Sequence, residues 1–142
     1  MLFKCVRDKG WNLPEADPSG LIPEGSIYRG PYVSAQTVFN LTLNKAYQVH
    51  GLAVYNGGLT ALVVNDTELP TWYPVEAFVV VDGTLPPSWR FCLRDEDGPT
   101  GLQALWGYPE LIDDPDHIKA IEYDTSALSI FFEATKQNGH GN

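Results

Sequence analysis

LTLNKAYQVHGLAVYNGGLTALVVNDTELPTWYPVEAFVVVD, residues 41–82, decides the architecture. Lys45 to Tyr55 alternates in a way that puts Tyr47 and Val49 on one face and Gln48 and His50 on the other. Gly51 breaks that period and predicts a bulge before Leu52 and Val54. Asn56-Gly57-Gly58 predicts a tight hairpin turn, because Asn and Gly accept positive φ cheaply. Leu59 to Asn65 then returns as a strand apolar enough to be covered on both faces. Pro74 cannot donate to a ladder, so Thr71-Trp72-Tyr73-Pro74 predicts a strand end. Val75 to Phe78 predicts one helical turn, and Val79-Val80-Val81 a short strand closed by Asp82-Gly83.

Outward from this stretch, Phe3-Lys4-Cys5-Val6-Arg7-Asp8 predicts a first strand with Phe3 and Cys5 inward. Residues 10–40 read as a long inserted loop, punctuated by Pro14, Pro18, Gly20, Pro23 and Gly25, with Trp11 packing over the strands and short strand-like pieces at Ile27-Tyr28 and Tyr32-Val33. Thr84-Leu85-Pro86-Pro87 breaks the chain. Beyond it, Trp89 to Arg94 and Leu102 to Trp106 predict a second hairpin around the polar turn at residues 95–99. One face of that hairpin carries Trp89, Phe91 and Leu93 and needs a cover, from the first strands or from the helices that follow. Pro109 to Ile112 predicts a helical turn and Asp114-Pro115-Asp116-His117 a capped helix start. A last helix, capped by Asp124 or Thr125, runs to about Gln137 with Ala127, Leu128, Phe131, Phe132 and Thr135 at helical spacing. Asn138-Gly139 ends it.

The run Leu41-Thr42, Lys45, Tyr47-x-Val49, hairpin, Trp72-Tyr73-Pro74, turn and Phe78 resembles small bacterial and phage domains of the Src-homology-3 type. The opening FKCVRD fits the first strand of that group, while Asn44 stands where a turn glycine is usual. The resemblance covers residues 3–82 and implies a five-stranded small antiparallel barrel, with nothing implied about chemistry. The expected fold class is therefore α+β, one domain over residues 1–142. A Src-homology-3-like barrel with its inserted loop fills residues 1–83, and an extra hairpin with two short helices fills residues 84–142.

Composition narrows the function. With 142 residues, 44% hydrophobic and 19% charged, the chain can bury a core and is not a disordered segment. The net charge of −9 is lopsided: residues 1–94 carry −1 and residues 95–142 carry −8. No cluster of cations is available for phosphates, so nucleic acid is not an expected partner. The opening residues are too polar for a signal peptide and no run approaches membrane-spanning length, so a cytoplasmic location without membrane contact is expected. Cys5 and Cys92 then read as small core thiols.

No motif for catalysis, metal or nucleotide stands out, and no cofactor or metal is expected. Asp113, Asp114, Asp116 and His117 have metal-ligand chemistry, but capping and favourable placement of negative charge at a helix start explain them without a metal. A Cys–His pair drawn from Cys5 or Cys92 with His50 would need strand alignment, and Glu68 with Glu76 could serve as acid and base only if desolvated. The leading expectation is a non-enzymatic binding or adaptor module that holds a protein or peptide in an aromatic groove formed by Tyr47, Tyr55, Trp72 and Tyr73, beside Phe78. The second is an acidic inhibitor or immunity-type protein that docks Asp113, Asp114 and Asp116 on a basic partner. A small hydrolase using His50 or His117 ranks third.

Overall fold

A computed structural model describes residues 1–9, 38–55, 58–94, 101–121 and 124–136. Among the described residues seven strands form one antiparallel sheet: β1 (Leu2–Cys5), β2 (Ala46–Tyr55), β3 (Gly58–Val64), β4 (Pro70–Pro74), β5 (Phe78–Asp82), β6 (Arg90–Leu93) and β7 (Leu102–Gly107). A single 3-10 turn, Val75–Ala77, joins β4 to β5, and helices α1 (Pro109–Asp113), α2 (His117–Ala120) and α3 (Thr125–Lys136) follow β7.

β2 organises the sheet, as its pattern predicts. β3 pairs along one of its edges. The other edge is shared, with β1 beside Ala46 to Gln48 and β7 beside Gly51 to Tyr55. Val49 donates its N–H to Met1 O at 3.0 Å on that shared edge while facing Val63 on the other. The register slips between Val49 and Gly51, which is the bulge expected at Gly51. The sheet forks there, with β1–β5 on one tine and β7–β6 on the other.

The closed Src-homology-3-like barrel expected for residues 3–82 is not formed. The ladder runs β4-β3-β2-β1-β5 and stops, so β4 and β5 are opposite margins of an open sheet. Closure would require β4 to bond β5, but Pro70 and Pro74 bracket β4 and the 3-10 turn separates the two strands. The hairpin read as an appendage enters the sheet instead, because β7 occupies the edge of β2 beyond the fork. The proposed loop at residues 10–40 lies mostly outside the described residues, as do Asn56-Gly57, the turn at 95–99 and the end of the last helix.

Two cores flank the sheet. One holds Phe3, Cys5, Phe39, Tyr47, Val49, Val63, Tyr73 and Phe78. The other holds Ala53, Leu62, Leu105, Tyr108, Leu111, Ile121 and Phe131, beneath the helices. β3 serves both, since Ala61 and Val63 face the first and Leu62 the second, which explains its unbroken apolar run. Thr60, also buried, donates its hydroxyl to Ala53 O at 3.0 Å and so avoids an orphaned polar group.

Helix starts depart slightly from the sequence reading. Asp114 Oδ1 accepts from Asp116 N at 3.0 Å, forming a turn, and α2 begins only at His117. Asp124 Oδ2 accepts from Ala127 N at 3.3 Å, so the aspartate caps α3 and Thr125 is its first residue. On α3, Ala127, Phe131 and Thr135 are buried, whereas Phe132 is 44% exposed. No helix among the described residues is long and apolar enough to cross a membrane.

Candidate functional site

Three of the four aromatics expected to rim a groove, Tyr47, Trp72 and Tyr73, have described side chains, and they fall on two faces of the sheet. Tyr47 and Tyr73 are buried in the first core, and Trp72 packs toward the second on the opposite face. Tyr55 ends β2 opposite Gly58 and Leu102, and its side chain lies outside the described residues. The two buried tyrosines send their hydroxyls into the turn after β3. Tyr47 donates to Asp66 Oδ1 at 2.7 Å and accepts from Thr42 N at 2.8 Å. Tyr73 donates to Phe39 O and accepts from Asn65 Nδ2. Asp66 also accepts from Thr42 Oγ1 and from Lys45 Nζ, and these bonds, led by the Thr42 hydroxyl, hold its carboxyl below the usual carboxylate range. Burial pushes both phenols up, so they stay neutral donors.

Cys5 sits in the first core, where burial raises its thiol pKa and its Sγ donates to Arg7 O. Cys92 packs against the second core. His50 meets the Phe131 ring edge-on, with centroids 5.3 Å apart. His117 is 3% exposed, with Nε2 at 2.7 Å from the Tyr108 hydroxyl. Burial lowers its pKa, against an opposing pull from Asp114 and Glu110. His117 and the Tyr108 hydroxyl share this hydrogen bond, and the pair joins α2 to the start of α1. No group of three metal-ligating side chains occurs among the described residues.

A different surface has the anatomy of a recognition site. On β6, Phe91 is 49% and Leu93 76% exposed, and Phe91 stacks on Trp106 of β7 with ring centroids 4.7 Å apart. Cross-strand partners share a face, so Leu93 lies over Ala104 on the same side. The sequence shows this alternation but not which face the helices cover. They cover the Cys92 face, where Arg90 donates to Asp113 Oδ2 at 2.6 Å and Arg94 Nη2 to Ile112 O at 3.2 Å. The cover expected over Phe91 and Leu93 is not provided by α1, α2 or α3.

Acidic side chains crowd beside this strand. Asp113, Asp114 and Asp116 are all exposed at the end of α1 and the turn after it. An open cleft of about 700 Å3 lies between α1 and α3, lined by Ser88, Glu110, Ser129, Ile130 and Glu133, and adds two more carboxylates. The result is an apolar ledge with a negatively charged shoulder. Compared with known proteins, the chain matches no family model, no curated protein and no solved structure, so its function has to be read from this geometry.

Proposed function

We propose that this chain is a non-catalytic protein-binding module whose docking face is the outer side of β6 and β7, rimmed by the carboxylates of α1. The observation that carries the reading is the pairing of Phe91 and Leu93, both well exposed, with Trp106 beneath them. An apolar patch rimmed by polar groups is the usual composition of a protein-docking surface. The rim selects a partner whose own apolar patch is bordered by Lys or Arg, since a surface of one sign accelerates encounter with the opposite sign. An acidic inhibitor of a basic enzyme is the second reading, favoured by the exposure of Asp113, Asp114 and Asp116 together. The reading places the chain in the cytoplasm, where Cys5 and Cys92, both unpaired here, remain thiols.

The test compares the native chain, Leu93→Asp and the triple carboxamide variant at Asp113, Asp114 and Asp116, each immobilised and exposed to extract of the source cell. The expected result is a protein retained by the native chain and lost with Leu93→Asp at unchanged thermal stability. The carboxamide variant retains it weakly, and its residual binding loses most of the salt dependence. Equal capture by all three would refute the reading. Loss with the carboxamides but not with Leu93→Asp would transfer the function to the acidic inhibitor.

A further inference from the structure

Among the described residues three strands have only one pairing partner, namely β4, β5 and β6, and the first two carry devices that discourage a further strand. β4 begins and ends with proline, Pro70 and Pro74, which removes two backbone donors. β5 pairs with β1 through a register slip between Leu2 and Phe3, which disrupts the regular spacing an added strand needs. β6 has neither. Arg90 to Leu93 pair residue for residue with Gly107 to Ala104, without slip or proline.

Charged side chains are the other common guard of a sheet margin, because they project past it into water. Here both arginines of the strand region are drawn back. Arg90 is held by Asp113, and Arg94 by the Ile112 carbonyl and Cys92 Sγ. Along the margin lie Phe91 and Leu93 on one side and, on the other, Asp113 at the end of α1, bonded to Arg90.

We infer that the partner of the docking face supplies an extended segment that adds to β6 as a further strand. Its apolar residues lie at alternate positions beside Phe91 and Leu93, with Lys or Arg between them facing Asp113 and Asp114. The inference rests on the docking face proposed above and names how the partner engages it. Strand addition draws affinity from main-chain hydrogen bonds and selectivity from alternate side chains, and both parts of that recognition are present here. Charge decides the intervening positions: residues 95–142 carry −8, so an acidic segment is repelled where a basic one is attracted.

The experiment uses the whole chain and three end-blocked peptides: alternating Lys–Val, alternating Glu–Val, and Lys–Val with every second backbone amide N-methylated. Binding is followed by tryptophan fluorescence and by amide hydrogen exchange. The Lys–Val peptide is expected to bind saturably and to slow exchange of the outward-facing β6 amides, and Leu93→Asp to abolish both effects. The N-methylated peptide should bind about tenfold more weakly, the loss expected for one or two hydrogen bonds. The Glu–Val peptide should not bind. Equal binding of the methylated peptide overturns strand addition, and absence of peptide binding overturns it too; in either case the docking face stands if Leu93→Asp still abolishes partner capture. Two further results also overturn the inference: β6 amides as protected in the free chain as those of β2, meaning that this chain covers its own margin, and a concentration-dependent dimer lost with Leu93→Asp, meaning that the occupant is a second copy.

Discussion

Asn65 shows how one side chain can fix a turn and two strands together. Its Oδ1 accepts from Thr67 N, Thr67 Oγ1 and Leu69 N, and its Nδ2 donates to Thr71 Oγ1 and Tyr73 Oη. The residue is 8% exposed, so an amide this deep needs every one of those partners. Tyr73 completes the set by donating to Phe39 O. Tyr73→Phe keeps the ring in the core but orphans the Phe39 carbonyl and one Asn65 donor. The expected cost is about 1–2 kcal/mol, read as a lower urea midpoint with an unchanged slope. Tyr47→Phe should cost less, because its acceptor Asp66 is exposed and water can replace the hydroxyl. Neither change should alter partner capture, since both rings are buried away from the β6 margin. A loss of capture with either at full stability would return the aromatic groove to consideration.

Helix α1 is only five residues long, so its position depends on what it touches rather than on helical propensity. It sits where two glycines pair across the fork, Gly51 of β2 opposite Gly107 of β7. A Cβ at Gly107 would lie 2.6 Å from Leu111 Cδ2 and 3.2 Å from His50 O, and one at Gly51 would lie 3.0 Å from the same Leu111 carbon. Leu111 is fully buried and has little room to swing aside. The glycine pair is therefore the seat that lets α1 lie directly on the sheet, which in turn places Asp113 within reach of Arg90. Gly107→Ala should lift α1, costing about 1–3 kcal/mol by overpacking. It should also loosen the Arg90–Asp113 contact and so weaken binding at β6, although neither partner residue is changed. Thermal melting together with partner affinity checks this, and unchanged values for both would show that α1 is not seated by the glycines. The sequence signals Gly51 through the broken alternation of β2, but Gly107 carries no such mark because its partner is more than fifty residues away.

At the level of the complete chain, local rules were informative and long-range ones were not. The β2–β3 pairing, the bulge at Gly51, the 3-10 turn after Pro74 and the apolar stripe of α3 follow from alternation, glycine, proline and helical spacing over a few residues. What could not be read is which margin of β2 receives β7. The candidate site was lost in the same way: Phe91 and Leu93 were legible as one face of a strand, not as its exposed face. The choice of face is made by the second core, whose helices close over Cys92, Leu105 and Leu62 and which includes the Tyr108–His117 pair. Its pH response follows from the packing. His117 is neutral in the folded chain because burial depresses its pKa, with Glu110 and Asp114 offsetting only part of that effect, while in the unfolded chain it takes up a proton near its ordinary pKa of about 6.5. Stability that is complete above that value should therefore fall as pH drops below it, until the depressed folded pKa is reached. The Tyr108 phenol, raised well above its usual range by burial, remains a neutral donor throughout and cannot compensate the imidazolium charge. His117→Gln keeps an acceptor for Tyr108 but does not titrate, so its melting temperature should decline less than that of the native chain between pH 7.5 and 5.5, windows set by that reference pKa of about 6.5. The difference between the two curves isolates His117 from the other histidines. Parallel curves would mean that the pair carries no proton linkage.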